Sequence, residues 1–353
     1  MISLTPSLES SAAVIALTEN LLGSHVLTLE PARSGGNNRV YKATTESSVY
    51  AIKIYPKQST DLRNRLGAEF SAFEFLVENG EDSIPSPVAQ DIETCVGIYQ
   101  WVDGEAICNP CIEDVLAAVE FIERLQIFSN SEAAQRIQPA SEACFSGGEI
   151  VRQVRARFNR LADIYDSHPN LKIFIKSEVM PLLETAEAWA RQRYNTCGLA
   201  FDDEIPSHDR TLSPSDFGFH NALKRKNGVI VFMDFEYFGW DDPVRLVADF
   251  LLHPGMNLSN ENCDYFQKKM FKLFDTGSDG NSDFIFRFNL LFPLIGLRWC
   301  AILLNEFLPE RWARRVFAEP AQDREYVHQQ QLDKAHYMIG RVQNALEGNT
   351  HGK

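Results

Sequence analysis

Two carboxylates and one carboxamide in the second half of the chain have the residue types and the spacing of a metal site. Asp216 lies in a loop that contains Pro, Ser and Gly, and Asn221 follows five residues later. Beyond them, Asn227-Gly228 stands between two apolar runs, which is the strongest short signal for a β-hairpin with a two-residue turn. In that register Asn221 lies directly across from Asp234, with Cβ atoms about 4.5–5.5 Å apart. Both side chains offer hard oxygen atoms, so the pair predicts a Mg²⁺ site with positions left for water and phosphate.

The order of these residues also indicates a reaction. An Asp, an Asn five residues later, a hairpin and then Asp-Phe-Glu is the layout of a phosphoryl-transfer catalytic loop with its metal site. Asp and Asn are also common turn residues, so a plain turn is the alternative interpretation. The hairpin register, which brings an amide oxygen to a carboxylate, favours the metal site.

A lysine stands inside an apolar strand near the N-terminus. Lys53 has apolar neighbours on both sides, which favours a paired, functional charge over a position at a solvated edge. The segment 61–79 has the apolar period of a helix and places Glu69 beside its apolar face. Glu69 is therefore the expected partner of Lys53, and a solvated position on the helix flank is the alternative. The apolar positions of that predicted helix are Leu62, Leu66, Phe70, Phe73 and Val77.

A glycine-rich link joins the first two predicted strands. Its residues Gly35, Gly36, Asn37 and Asn38 follow HVLTLEPAR and precede RVYKATT. Paired glycines let a backbone approach a ligand closely and present its N–H groups. The link is therefore a candidate for phosphate binding, with an ordinary hairpin turn as the alternative.

Composition and charge narrow the possible partners. The chain of 353 residues can hold two domains, and its 44% hydrophobic and 23% charged residues are ordinary for a globular protein. A formal charge of −14 argues against nucleic-acid and anionic-membrane partners. No apolar stretch of about 20 residues and no signal-peptide pattern is visible, so we expect a cytoplasmic protein without a membrane anchor. Seven scattered cysteines, an odd number, do not form a disulfide framework.

Changes in hydrophobic period divide the chain into two predicted lobes. Five strands and one helix occupy residues 1–103, and residues 104–353 are mainly helical with the hairpin inserted. We therefore predict an α+β, two-lobed, protein-kinase-like fold with a five-stranded antiparallel sheet in its N-terminal lobe. Further helices are predicted over residues 8–22, 111–129, 146–164, 171–194, 243–253, 259–274, 283–307 and 322–347.

Taken together, these segments resemble the aminoglycoside phosphotransferase and choline kinase-like family, which shares the protein-kinase fold. GGNNRVYKA is similar to the family's glycine loop, which covers the ATP phosphates. The resemblance implies that Lys53, in YAIKIY, holds the α- and β-phosphates with Glu69 as its helix partner. The segment YQWVDG is similar to the hinge, so the backbone of Gln100, Trp101 and Val102 is expected to bind adenine.

The resemblance extends roughly over residues 28–307 and includes the catalytic segments. In SDFGFHN, Asp216 takes the place of the catalytic aspartate and Asn221 that of the metal-binding asparagine. In MDFE, Asp234 takes the place of the metal-binding aspartate. The implied cofactors are ATP, with GTP left open, and Mg²⁺. The implied reaction transfers the γ-phosphate to an alcohol group, with Asp216 orienting the acceptor hydroxyl and taking its proton late.

Two positions depart from the family pattern. Pro214-Ser215 stands where the family usually has His-Gly before the catalytic aspartate. Such a histidine braces the loop through hydrogen bonds that proline cannot make, so the support of the loop is in question more than its chemistry. The family also often has an Asp three residues after Asp-Pro, where this chain has Leu246, with Asp249 three residues further on.

The acceptor is expected to be a small molecule. Only six residues separate Glu236 from Pro243, which opens the next predicted helix, whereas a protein kinase needs a longer segment there to dock a peptide. A sugar, an amino alcohol and an aminoglycoside all remain open. In the family, the helices that follow shape the acceptor pocket. Four side chains in this part of the chain are candidates for an acceptor contact; the alternative for the carboxylates is an exposed helix face, and for the tryptophan a place in the core. The candidates for such a contact are Asp242, Asp249, Trp299 and Glu306.

Two other functions fit the same residues less well. A nucleotide-binding module without transfer activity would follow from a loop weakened by Pro214-Ser215. A protein kinase is disfavoured by the short segment after Glu236. The sequence leaves open the identity of the acceptor, the choice between ATP and GTP, a role in antibiotic resistance or in metabolism, and the oligomeric state.

Overall fold

The chain forms two compact units in a computed structural model that describes residues 10–32, 38–56, 63–275, 283–318 and 323–351. The first unit takes the described residues of Met1–Pro110, Glu120–Ser141 and Pro214–Gly239. The second takes those of Cys111–Val119, Glu142–Ser213 and Trp240–Lys353. The predicted catalytic loop and hairpin therefore belong to the first unit, and the lobe boundary after Asp103 stays a prediction.

The described residues form ten strands and eleven α-helices. The strands are β1 (Val26–Pro31), β2 (Arg39–Thr45), β3 (Val49–Ile54), β4 (Pro87–Asp91), β5 (Val96–Gln100), β6 (Glu105–Ala106), β7 (Thr211–Ser213), β8 (Ala222–Lys224), β9 (Ile230–Phe232) and β10 (Gly239–Asp241). The helices are α1 (Ser11–Leu22), α2 (Arg65–Glu78), α3 (Ile112–Phe128), α4 (Gly147–Ala162), α5 (Pro169–Phe174), α6 (Met180–Thr196), α7 (Pro243–Leu252), α8 (Asn260–Phe274), α9 (Asp283–Leu303), α10 (Pro309–Ala318) and α11 (Arg324–His351).

The first unit is built on the predicted five-stranded antiparallel sheet. Its strands lie in the order β1-β2-β3-β5-β4. The alternation of β3 and β5 turns Ile52 and Ile98 into a core that also contains Val14 of α1. Strand β3 has a partner on each side, so Lys53, which it carries, lies well away from the edges of the sheet.

Helix α2 begins later than predicted, at Arg65, because Asn64 caps it. The Oδ1 atom of Asn64 accepts a hydrogen bond from the N–H of Gly67 at 3.0 Å. Glu69 is only 2% exposed, as the helical period predicts. Val77, placed on the apolar face by the sequence, is 41% exposed, and Leu76 is buried instead. Leu62 lies outside the described residues.

The predicted hairpin belongs to a second, smaller sheet. Strands β8 and β9 form the predicted antiparallel pair, and β6 adds a third strand that pairs with β8. The sequence analysis did not predict β6, which contains only two residues and has no apolar alternation. Gly104 precedes it and lies against the hairpin, because a Cβ atom at that position would come within 2.9 Å of the Cβ atom of Leu223.

The second unit is mainly helical, as predicted, and α9 lies at its centre. Helices α4, α6, α7 and α11 all pack against α9. The stretch Phe284–Phe307 is long and apolar enough to cross a membrane, contrary to the expectation from the sequence. However, 78% of its most apolar window is buried inside the protein. This burial accounts for the apolar character of the helix.

Two helices of this unit differ from the prediction. The predicted helix over 171–194 is divided into α5 and α6 by a π-helical turn, Ile175–Val179. Pro181 follows that turn, and a proline disturbs the regular helix before it because it lacks an N–H and its ring clashes with the preceding turn. Helix α10 was not predicted; it is only ten residues long, and three of those residues are arginines.

A buried aromatic cluster in the second unit contains a histidine that resists protonation. His328 is 8% exposed, and its ring stacks on Phe307 with centroids 4.1 Å apart. Its Nε2 atom lies 3.2 Å from the carbonyl oxygen of Glu306. Burial, with smaller contributions from His168 and Arg324, lowers the pKa of His328 to about 4.

We expect His328 to make the folded protein less stable as the pH falls. Between about pH 6.5 and pH 4 the unfolded chain binds a proton that the folded protein excludes, so up to about 1.4 kcal/mol of stability is lost per pH unit as the pH falls. His328→Gln should flatten this part of a plot of melting temperature against pH. His208→Gln, at a side chain that is 81% exposed, is the matched control and should leave the plot unchanged. An unchanged slope in His328→Gln would contradict the assignment.

Candidate functional site

The site of the first unit is organised around Lys53. Its side chain is only 10% exposed, and its Nζ atom lies 2.5 Å from Oε2 of Glu69 and 2.5 Å from Oδ1 of Asp234. The contact between Lys53 and Glu69, predicted from the two periodic segments, is therefore present. The second carboxylate, Asp234, comes from the hairpin region far along the chain, and one ammonium group thus joins three separate elements.

Two tyrosines fix the orientation of Glu69. The hydroxyl group of Tyr55 donates to Oε2 of Glu69 at 2.7 Å and lies 2.7 Å from the hydroxyl group of Tyr99. Tyr55 follows β3 directly, and Tyr99 lies in the neighbouring strand β5. A buried chain of hydrogen bonds thus runs from the end of β5 through Glu69 to Lys53. Sequence reasoning missed both tyrosines, because their contacts join separate segments of the chain.

Burial and the neighbouring charges have opposite effects on the pKa values of Lys53 and Glu69. Burial lowers the pKa of Lys53, but the carboxylates of Glu69 and Asp234 outweigh burial and raise this pKa above its usual range. Lys53 is therefore charged at neutral pH. Burial also raises the pKa of Glu69, and the negative charge of Asp234 adds to this effect, while Lys53 opposes it. The net pKa of Glu69 is raised, mainly because the carboxyl group is buried.

The hairpin differs from the prediction by one residue. Its loop contains three residues rather than two, because the N–H of Arg225 bonds the carbonyl oxygen of Val229 at 2.8 Å. Gly228, at φ +87°, occupies the left-handed position that such loops place last. In the resulting register the N–H of Met233 donates to the carbonyl oxygen of Asn221 at 2.9 Å. Asn221 is therefore not directly across from Asp234, and this prediction was wrong.

The backbone conformation of Asp234 offsets the effect of the shifted register on the direction of its side chain. Moving a strand by one residue turns its side chains to the opposite face. However, Asp234 has φ +66°, a left-handed conformation that is uncommon for residues other than glycine. This local turn ends the hairpin and directs the carboxylate to Lys53, while the next residue, Phe235, is buried. Strained backbone of this kind is often found at functional sites.

The loop around Asp216 is supported without the histidine that the family pattern would supply. Asn221 donates from Nδ2 to the carbonyl oxygen of Asp216 at 3.0 Å. His220 places Nε2 at 3.0 Å from Oδ1 of Asp216. Ser215, at φ +68°, donates from Oγ to the carbonyl oxygen of Tyr237 at 3.2 Å. The loss of bracing expected from Pro214-Ser215 is therefore offset by other hydrogen bonds.

His220 is a site residue that the sequence analysis did not identify. It follows Asp216 by four residues in a short 3₁₀ turn, a spacing that brings its ring back over the loop. The motif SDFGFHN contains this signal, although a lone histidine in a loop is too common to be predictive. Its contact restricts the rotation of the Asp216 carboxylate, whose side chain is 38% exposed.

The donor set fits a hard divalent cation. Asp234 keeps 36% of its side chain exposed, so a ligand can reach its carboxylate. The Nδ2 atom of Asn221 is held by its bond to Asp216, which directs Oδ1 away from that carbonyl group. Asn221 lies across the hairpin from Met233, the residue before Asp234. Carboxylate and amide oxygens suit Mg²⁺, which prefers oxygen atoms and keeps several waters.

The predicted glycine loop is described only at its end. Gly35, Gly36 and Asn37 lie outside the described residues. Asn38 is 7% exposed, and its Nδ2 atom donates to Oε2 of Glu236 at 2.8 Å. Its Oδ1 atom has no hydrogen-bond partner among the described residues. The side chain of Asn38 is therefore held in place by Glu236.

The predicted hinge is partly engaged within the first unit. The N–H of Gln100 donates to the carbonyl oxygen of Ser86 at 2.9 Å, and that of Trp101 donates to the carbonyl oxygen of Val49 at 3.1 Å. These two N–H groups are therefore used by the protein. Val102, which is buried, is left as the candidate for donating a hydrogen bond to adenine.

Two of the acceptor candidates in the second unit are buried carboxylates with basic partners. Asp242 is 1% exposed, caps α7 through the N–H of Val244 at 2.8 Å and forms an ion pair with Arg287. Asp249 is 5% exposed and accepts from Nε of Arg245 at 3.2 Å. Arg245 also donates to Asp241 from Nη1, at 2.6 Å. The same guanidinium group therefore connects the end of β10 to α7.

The other two candidates also have partners inside the second unit. Trp299 is 8% exposed and donates from Nε1 to Oδ1 of Asp249 at 2.7 Å. Glu306 is partly buried and lies 3.6 Å from Nη1 of Arg315. Leu246, at the position where the family often has an Asp, is buried. A contact of these candidates with an acceptor stays a prediction, and their burial favours a structural role for Asp242 and Asp249.

Solved structures of small-molecule kinases are similar to this chain over nearly its whole length. A spectinomycin phosphotransferase, in complex with ADP and spectinomycin, matches 93% of this chain and 98% of its own at 13% identity, with a TM-score of 0.62. Choline kinase from Streptococcus pneumoniae matches 94% and 98% at 15% identity, with a TM-score of 0.57. An aminoglycoside phosphotransferase matches 96% and 99% at 13% identity, with a TM-score of 0.55. No protein-family model and no curated protein sequence matches the chain.

The chain has the fold of these kinases. The protein-kinase-like, α+β architecture expected from the sequence is thereby confirmed. At 12–16% identity, this similarity establishes the fold and not the roles of the site residues.

Removing the Lys53 charge should destabilise the protein in a manner that depends on pH. Lys53→Met leaves Glu69 buried beside Asp234, and breaking a buried ion pair costs about 3–5 kcal/mol. Protonation of Glu69 relieves this cost, and a carboxyl group with a raised folded-state pKa contributes stability at low pH that is lost as the pH rises. The loss should therefore be smaller at pH 5 than at pH 8.

Urea unfolding at the two pH values measures this difference. Lys53→Met combined with Glu69→Gln is the matched control, because its neutral amide should remove most of the pH dependence. Equal destabilisation of Lys53→Met at both pH values would contradict the electrostatic account.

Proposed function

We propose that the protein is an ATP-dependent, Mg²⁺-requiring kinase that transfers the γ-phosphate to a hydroxyl group of a small molecule. Sugars, amino alcohols and aminoglycosides are the acceptor classes, and GTP is a possible replacement for ATP. The observation that carries the proposal is the contact of Lys53 with both Glu69 and Asp234, in a chain with the fold of small-molecule kinases. A cytoplasmic location fits such a metabolite kinase.

Each residue of the site has a role in this reaction. Lys53 supplies a fixed positive charge for the α- and β-phosphates, and Glu69 keeps it extended. Asn221 and Asp234 are the residues that would hold Mg²⁺, and that ion, when bound, neutralises charge on the phosphate oxygens. Asp216, oriented by His220, accepts a hydrogen bond from the acceptor hydroxyl and takes its proton as the new bond forms. Catalysis rests on positioning and on charge neutralisation.

The similar structures support a nucleotide and a small-molecule acceptor. One of them is a phosphotransferase with ADP and spectinomycin bound, and another is a choline kinase. The short segment between Glu236 and α7 supports the same class of acceptor, because it is too short to dock an extended peptide.

The charges of the second unit favour neutral or weakly charged acceptors for the first tests. Asp242 and Asp249, proposed contacts for a cationic acceptor, are each compensated by an arginine. A polycationic aminoglycoside would have to compete with those guanidinium groups. Sugars and amino alcohols therefore come first in an acceptor panel.

The alternative is a nucleotide-binding module that transfers no phosphate. It was suggested by Pro214-Ser215, and it loses support because Ser215, His220 and Asn221 brace the loop. It predicts nucleotide binding without turnover for every acceptor in the panel.

Nucleotide binding is tested by thermal unfolding with and without Mg²⁺ and ATP or GTP. A ligand at about 100 times its Kd adds about 2.7 kcal/mol to the stability of the folded state. We expect a Mg²⁺-dependent rise in melting temperature that Asp234→Asn abolishes, each protein being compared with its own ligand-free baseline. Asp82→Asn, at an exposed carboxylate, is the control and should keep the rise. A wild-type protein that shows no shift with either nucleotide would overturn the proposal.

Asp216→Asn tests the transfer step separately. General-base catalysis contributes about 10²–10⁴ in rate, so kcat should fall by that factor, while the nucleotide-dependent rise in melting temperature remains. The measurement is the release of nucleoside diphosphate in the presence of each acceptor. Wild-type turnover in this variant would exclude Asp216 as the catalytic base.

A further inference from the structure

Each residue of the segment Asp234-Phe235-Glu236 is linked to helix α2. Asp234 is linked through Lys53, which also binds Glu69 of that helix. The ring of Phe235 lies 5.2 Å from that of Phe73. Glu236 is linked directly, since its Oε1 atom accepts from Nη1 of Arg65 at 2.6 Å. The metal-binding segment is thus attached to α2 at three consecutive positions.

Both carboxylate oxygens of Glu236 are used by the protein. Arg65 binds Oε1, and Nδ2 of Asn38 donates to Oε2 at 2.8 Å. All three residues are buried: Glu236 is 2% exposed, Arg65 is 5% exposed and Asn38 is 7% exposed. A buried carboxylate with a charged and a neutral donor is strongly held, because each donor would otherwise be left without its partner.

The position of Arg65 at the start of α2 makes its ion pair with Glu236 more important. Arg65 is the first residue of α2, where the helix dipole disfavours a cation. Its guanidinium group also lies 5.4 Å from the centroid of the Tyr237 ring, next to Glu236 in the chain. The pairing with Glu236 therefore compensates a charge that the helix end would otherwise oppose.

We propose that Glu236 is a positioning residue that holds Asn38 and the first turn of α2 in a fixed relation to Asp234, and that it does not itself bind the metal ion. This inference rests on the proposed kinase function and adds a residue to it. Arg65 and Glu69 are four residues apart and lie on the same face of α2. A shift of the first turn would therefore also move Glu69 and, through Lys53, the carboxylate of Asp234.

The proposal is tested with Glu236→Gln, Arg65→Met and the conservative variant Arg65→Lys. Glu81→Gln is the matched control, because Glu81 is also a buried carboxylate, 4% exposed, and is bound through both oxygens by Arg124. In the ligand-free protein, amide hydrogen exchange should become about tenfold faster over residues 38–41, 65–69 and 233–237 in Glu236→Gln and Arg65→Met. It should change little there in Arg65→Lys and in Glu81→Gln.

Kinetics with ATP then separate a positioning role from metal ligation. Loss of a residue that orients a metal ligand lowers activity or metal affinity by about 10- to 100-fold. If Glu236 positions the site, Arg65→Met should reproduce the effect of Glu236→Gln on kcat and on the Mg²⁺ midpoint. The double variant should then be little worse than either single variant.

Two results would overturn the proposal. A shifted Mg²⁺ midpoint in Glu236→Gln alone, with Arg65→Met normal, would make Glu236 a metal ligand. Unchanged hydrogen exchange in both variants would show that Glu236 does not hold Asn38 and α2. The exchange experiment needs no nucleotide, so it decides this point even for a protein that binds none. Absence of nucleotide binding in the wild-type protein would instead contradict the proposed function.

Discussion

The buried charge of Lys53 is the constraint on which the first unit depends. A lysine in the middle of a sheet requires a carboxylate partner, because an unpaired charge away from water is far too costly. The chain supplies two, Glu69 from α2 and Asp234 from the hairpin region, each 2.5 Å from Nζ. The requirement to neutralise one cation therefore fixes the relative positions of a strand, a helix and a loop. It does so within a single compact unit.

The surrounding contacts make that arrangement rigid. Tyr55 and Tyr99 hold Glu69 from the sheet, whereas Arg65 and Asn38 hold Glu236 in the segment Asp234-Phe235-Glu236. Phe235, between the two acidic residues of that segment, packs on Phe73 of α2. Charge pairs and an aromatic contact alternate along the same face of one helix. The direction of the Asp234 carboxylate thus follows from packing as well as from electrostatics.

The sequence predicted contacts that follow from local periodicity and failed where distant segments decide the geometry. Lys53 and Glu69 were paired because each stood out against a regular strand or helix. The register of the hairpin was wrong by one residue, because Asn227-Gly228 is compatible with two- and three-residue loops and only the structure distinguishes them. Glu236 was not assigned a role, because its partners lie nearly two hundred positions away, as the separation of 198 from Asn38 illustrates. Asp242 and Asp249 were predicted to contact an acceptor. The partner of Asp242, Arg287, lies 45 positions away, whereas Arg245 lies only four residues before Asp249 on α7, so that pair could have been predicted from the sequence.

The charges of the site also bear on how a nucleotide would bind. Lys53 carries one positive charge against the two carboxylates of Glu69 and Asp234, while Arg65 and Glu236 compensate each other. The described site therefore has an excess of negative charge when both carboxylates are ionised. Phosphate groups alone would be repelled by it, and Lys53 would have to bind them while still paired with Glu69. A divalent cation beside Asp234 would reverse this balance, so under the proposed function nucleotide binding and metal binding would be cooperative.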